Sequence, residues 1–163
     1  MAKGDIQPYE SAGSAKMGGA LPYYIASGTV ASINAGEPVQ KLAGTAGVTA
    51  LLTNSPKTTN RIVGVSTSAS SETASVSGLV QVVPADPNAQ WLIAPKVPTT
   101  WNTQAKYNAL VGSRVLIDLT TGVYTLLATD GAGNGCIVEY LDIARYPGMV
   151  AFSFSPLVDY RNV

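Results

Sequence analysis

The chain has 163 residues, ten basic and ten acidic side chains, no His and a single cysteine, Cys136. That length suits one ordinary domain or two very small ones, and it can bury a core without disulfides or metals. Charged residues make up only 12% of the chain, about half the usual share. A net charge of zero excludes the basic footprint of a nucleic-acid binder, the missing His removes the commonest general base and metal ligand, and no apolar run reaches the ~20 residues of a membrane helix.

A neutral surface rich in Ser, Thr, Gly and Ala gives little self-repulsion. It favours self-association or docking over a solitary monomer. Residues 1–20 are Gly, Ala, Ser and Lys with scattered polar residues and no strand or helix period. They read as a flexible arm, able to reach roughly 65 Å at ~3.3 Å per residue. They lack the apolar core of a secretory signal, which predicts synthesis in a cytoplasm.

The rest, 21–163, reads as one all-β unit or as two halves, 21–98 and 99–163. Tyr23 to Ile33 predicts a strand, and Asn34-Ala35-Gly36-Glu37-Pro38 a turn, because Gly supplies positive φ and Pro cannot donate to a ladder. Val39 to Leu42 predicts a short strand. Val48 to Thr53 fits a strand or one helical turn, and Asn54 to Asn60 a loop. Arg61 to Pro84 is the clearest stretch. It predicts strands over Ile62–Thr67, with Val63 and Val65 on one face, and over Ala74–Val83, with Val76, Val80 and Val82 opposite Ser75, Ser77 and Gln81.

Pro84, Pro87, Pro95 and Pro98 make the next stretch stiff and loop-like, with a short edge strand at Gln90–Ala94. Thr103 to Leu110 is the one helix candidate, with Thr103 as N-cap and Gly112 past its end. Period two then returns. Arg114–Leu119 and Val123–Ala128 flank a turn at Thr120-Thr121-Gly122. Asp130–Gly135 is a turn, Cys136–Ile143 a strand and Tyr146-Pro147-Gly148 a turn. In Met149–Ser155, Val150, Phe152 and Phe154 oppose Ala151, Ser153 and Ser155. The sum is a small antiparallel β-barrel or sandwich of about nine or ten short strands, with no evident internal repeat, though each half could close as its own barrel.

No pattern demands catalysis. Cys136 lacks a His partner and reads as a buried thiol. The elbow G-x-S-x-G and S-x-x-K are both absent. Asp130-Gly-Ala-Gly-Asn134-Gly135 is a poor calcium loop, with Ala132 third and Leu141 where the bidentate Glu belongs. Asp118, Glu139 and Asp142 offer carboxylates without a telling spacing, and an ion pair of Glu139 with Arg114 or Arg145 is the simpler reading. Trp91 and Trp101, with Tyr23, Tyr24, Tyr107 and Tyr146, fit core or interface positions better than a sugar platform. These residues predict no metal and no cofactor.

Gly28–Val30, the turn Asn34–Val39, Arg61-Ile62-Val63-Gly64-Val65, the Ser/Thr connection and Gly78-Leu79-Val80-Gln81-Val82 resemble the pattern of tailed-phage capsid decoration, or cement, proteins. Tyr107–Gly112 with the strands around Val123-Tyr124 and Val150–Phe152 is similar to a β module of phage head proteins. The resemblance implies a structural protein with no catalytic residues. It would dock outside an icosahedral shell, often as a trimer, and clamp neighbouring major capsid protein subunits. Tyr9, Tyr23, Tyr24, Trp91, Trp101 and Tyr146 are the candidate interface residues, without nucleic-acid or membrane contact. The alternative is another virion or surface component, a tail part or a carbohydrate-binding adhesin module.

Overall fold

In a computed structural model, the structure describes residues 6–9, 19–25, 32–41, 47–51, 61–71, 78–128 and 135–155. The fold is all-β, as expected, with antiparallel sheets and one short helix. A five-stranded sheet holds β2 (Leu21–Tyr24), β4 (Pro38–Lys41), β5 (Thr49–Ala50), β6 (Arg61–Ser66) and β8 (Leu79–Pro84), in the order β2-β8-β6-β4-β5. A six-stranded sheet holds β1 (Gln7–Tyr9), β9 (Gln90–Ile93), β10 (Arg114–Thr120), β11 (Val123–Leu127), β12 (Cys136–Val138) and β13 (Val150–Phe154), in the order β1-β9-β13-β12-β10-β11. β3 (Ser32–Ile33) and β7 (Ser70–Ser71) form a separate ladder.

The two sheets are built on one plan. Leaving β1 aside, each takes its five strands in the spatial order first, fifth, fourth, second, third. In each, one parallel bridge draws the third strand back to the first, Ile25 to Val48 and Pro95 to Leu126. Among the described residues that bridge is isolated in each case, and neither sheet closes into a barrel. The registers agree as well. Val80 and Val82 oppose Tyr23 and Leu21, and Val150 and Phe152 oppose Ile93 and Trp91. Gly64 and Val65 oppose Pro84 and Val83, and Cys136 and Ile137 oppose Phe154 and Ser153.

Backbone hydrogen bonds recur at matching positions. Gly36 N donates to Ser66 O at 2.8 Å, and Gly112 N to Val138 O at 2.9 Å. Ser66 N donates to Glu37 O at 2.9 Å, and Val138 N to Ser113 O at 3.1 Å. Val48 N donates to Tyr24 O at 2.8 Å, and Leu126 N to Ala94 O at 2.9 Å. Gly36 and Gly112 share a left-handed φ, 84° and 83°, which is why Gly stands at both. The sequence shows no repeat, but the strand order does, Leu21–Pro84 and Gln90–Phe154, with a division before β9 rather than at 98/99.

Other expectations change in detail. Gln7–Tyr9, placed in a flexible arm, forms β1 along β9, anchored by buried Ile6. Of the predicted strand Tyr23–Ile33, the start lies in β2 and the end in β3, and residues 26–31 lie outside the described residues. Val63 and Val65 do not share a face. Gly64 opposes Val39 and Ile62 opposes Gln40, so Val63 is an extra residue in a bulge. Ile62 and Val65 therefore enter the larger core, and Val63 packs against the smaller one. The strand expected over Cys136–Ile143 stops at Val138, because Asp142 starts a turn, its Oδ1 accepting from Ala144 N at 3.0 Å and its carbonyl from Arg145 N at 3.2 Å.

The helix α1 (Gln104–Asn108) begins as predicted, with Thr103 Oγ1 accepting from Lys106 N at 3.3 Å. The Thr120-Thr121-Gly122 turn is a two-residue hairpin with positive φ at both central residues, Thr121 and Gly122. A larger hydrophobic core joins Leu51, Ile62, Val65 and Ala85 to the six-stranded sheet; a smaller one, of Ile25, Ile33, Val39, Val48, Val80 and Val82, lies in the first repeat.

Candidate docking surface

The predicted interface residues divide into two groups. Trp91 and Trp101 are core residues, 1% and 5% exposed. Trp91 stacks edge-on to Phe154, with ring centroids 6.0 Å apart, and Trp101 to Tyr107 at 5.5 Å. Both are packed into the larger core, Trp91 from β9 and Trp101 from the turn after Pro98–Thr100, so they cannot anchor a partner on the folded chain. Tyr9, Tyr23, Tyr24 and Tyr146 keep some or most of their surface.

Tyr9 and Tyr146 come together, edge to face at 5.3 Å, although 137 positions separate them in sequence. β1 supplies Tyr9, and the turn that Asp142 begins supplies Tyr146. The Arg145 guanidinium lies 5.5 Å from the Tyr146 ring centre. Burial, then Tyr146, raises the pKa of the Tyr9 phenol, and Arg145 opposes the rise. Tyr140 stands exposed nearby, 60% open. This cluster offers flat aromatic faces, phenol hydroxyls and one cation.

Tyr24 belongs to a second surface on the first repeat. Tyr24 and Leu79 are direct cross-strand neighbours, 66% and 47% exposed, and Leu21 at the same edge is 49% exposed. Three of the six exposed large hydrophobics among the described residues therefore lie on two adjacent strands. No charged residue occurs in Leu21–Tyr24 or Leu79–Pro84. Sequence reasoning missed Leu79, but the signal was there: it shares the outward phase of Gln81.

The chemical candidates are held in structural roles. Cys136 is fully buried and burial pushes its thiol pKa up. Asp118, 1% exposed, receives Lys96 Nζ at 2.8 Å and Thr120 Oγ1 at 2.6 Å. Glu139, expected to pair with an arginine, accepts from Ser153 Oγ at 2.6 Å and Gln90 Nε2 at 3.4 Å. Tyr107 and Tyr124 are buried phenols with pKa values raised by desolvation. Tyr124 donates to Leu51 O at 2.8 Å. The Asp130–Asn134 part of the suspected calcium loop lies outside the described residues. Among the described residues, no group of three His, Cys, Asp or Glu side chains could hold a metal ion, and no helix is long and apolar enough to cross a membrane.

A cleft of about 310 Å³ lies where the repeats meet, lined by Ile6, Pro8, Gly36, Val65, Val83 and Trp91 among others. Its lining carries no ionisable side chain. No family model, curated protein or solved structure matches the chain.

Proposed function

We propose that this is a structural virion protein that docks on the outside of a tailed-phage capsid and bridges major capsid protein subunits, performing no reaction. The observation that carries the reading is the assembly of its motif residues. The Asn34–Pro38 turn is tied to β6 through Ser66, whose Oγ donates to Asn34 O and to Glu37 O, the latter at 3.1 Å. β6 in turn pairs with β8, which carries the Leu79–Val82 motif. Three of the segments that resemble the decoration family, the Asn34–Pro38 turn, β6 and β8, thus pack side by side, and β8 shares the uncharged Tyr24–Leu79 surface with β2. An uncharged apolar patch suits burial against another protein. Trimerisation would multiply weak contacts through avidity.

The test is quantitative mass spectrometry of purified virions, scaled to the major shell protein. The expected copy number is comparable with the shell subunit. A few copies per particle would move the protein to the tail, and absence from virions would overturn the reading. A second reading, glycan binding, rests on the Tyr9–Tyr146–Arg145 cluster, because sugars stack on aromatic faces and hydrogen-bond to neighbouring polar groups. Glycan-array binding abolished by Tyr146→Ala would favour it.

A further inference from the structure

We propose that the outer edge of β2 is an open strand-acceptor site for an extended, uncharged segment of a partner polypeptide. The site follows from comparing the two repeats, and it stands whether or not the virion reading does.

β1 is the one strand of the six-stranded sheet without a counterpart in the five-stranded sheet. It lies along β9, with Gln7 opposite Leu92, Pro8 opposite Trp91 and Tyr9 opposite Gln90. The shared register makes Ala20, Leu21 and Pro22 the counterparts of Gln90, Trp91 and Leu92. Among the described residues, that side of β2 is met by Val48 at Tyr24, as β9 is met by Leu126 at Ala94, and no strand lies along Ala20–Pro22. The consequences are visible in burial. Trp91 is 1% exposed under its covering strand, and Leu21 is 49% exposed.

The backbone points the right way. Ile25 N donates inward to Gly78 O at 2.9 Å, and Tyr24 O accepts from Val48 N at 2.8 Å on the other side. Strand alternation then turns the outward groups of Pro22 and Ala20 to that same side. Pro22 has a carbonyl there but no N–H, so an added strand makes one bond fewer than β1 makes on β9. This weakens indiscriminate edge pairing and leaves a shallow site selected by apolar contacts at Leu21 and Tyr24. The segment that fits such an edge is shown by β1 itself: extended, uncharged at its core, with Pro tolerated at the outward-facing position.

The probe is a labelled peptide with the sequence of residues 6–9, blocked at both ends and flanked by serines so that it carries no charge, titrated against the full chain by fluorescence anisotropy. Leu21→Asp and Pro22→Leu are the two variants, each checked by thermal melting. The expected result is saturable binding, weakened at least ~10-fold by Leu21→Asp and tightened several-fold by Pro22→Leu, which restores the missing donor. Any other pattern overturns the proposal. In particular, binding indifferent to both variants would mean the peptide displaces β1 from β9. Concentration-dependent dimerisation of the wild type, abolished by Leu21→Asp, would put a second copy in the site instead.

Discussion

Removing one oxygen from Tyr107 tests how the helix is held to the sheet. The Tyr107 hydroxyl accepts from Ala151 N at 2.8 Å and donates to Glu139 O at 2.9 Å. Ala151 is fully buried and Glu139 only partly so. In Tyr107→Phe the ring and its edge contact with Trp101 remain, but the Ala151 N–H loses its partner where water cannot reach. That group alone costs about 1–3 kcal/mol, and the Glu139 carbonyl, open to rehydration, about 1 kcal/mol more. The expected loss is roughly 2–4 kcal/mol, a fall in Tm of about 5–12 °C for a chain of this size. Urea unfolding should show a lower midpoint with an unchanged slope. Tyr124→Phe is the control. Its hydroxyl serves one buried acceptor, Leu51 O, and the variant should lose about 1–3 kcal/mol, less than Tyr107→Phe because one partner is lost instead of two. A Tyr107→Phe loss under about 0.5 kcal/mol, or one no larger than the control, would refute the reasoning.

Stability should fall above about pH 9. Burial raises the pKa values of Cys136, Tyr107 and Tyr124, so the unfolded chain releases these protons first. The stabilisation is complete below the unfolded values and lost as pH rises, by up to about 1.4 kcal/mol per pH unit for each group; a flat urea midpoint from pH 8 to about 11 would contradict this. Gly64→Ala should prevent folding or cost at least ~3 kcal/mol, because its Cβ would lie 2.0 Å from Val83 O; Gly112→Ala meets no atom and should cost only about 1–2 kcal/mol through its positive φ. Trp91→Ala should cost about 3–5 kcal/mol, whereas Tyr24→Ala should leave the melting point within about 2 °C and reduce docking; equal melting points for both would be wrong for this fold.

Much of the fold was legible because it rests on local chemistry. The Thr120–Val123 hairpin, the Thr103 cap and the inward phase of Phe152 and Phe154 all follow from residue type and spacing. Three features were not. The bulge at Val63 is set by pairing with β4, so alternation alone assigned Val63 and Val65 to one face. β1 is held by the β9 edge and by burial of Ile6, neither of which its own composition reveals. The approach of Tyr146 to Tyr9 depends on β1 and therefore went with it. The Trp residues were mistaken for anchors because composition does not distinguish an aromatic that faces a core from one that faces a partner.

The repeat was invisible for a different reason. What the two units share is carried by backbone: strand order, register and the bonds from Gly36 and Gly112. Side chains need only match in phase and apolar character, so Val82 answers to Phe152, Val48 to Leu126 and Ile25 to Pro95. Besides Gly36 against Gly112, Gly78-Leu79-Val80 against Gly148-Met149-Val150 keeps its residue types. Where the units differ, the difference is exposure. The second repeat covers its β9 edge with β1, using residues from the chain's own start. The first leaves Leu21, Tyr24 and Leu79 open. An apolar surface costs solubility unless something covers it, and an edge costs specificity unless something blunts it. Pro22 blunts the edge without covering the patch. On the proposed reading, the open first repeat is where docking should be sought, and the second is the scaffold that fixes it.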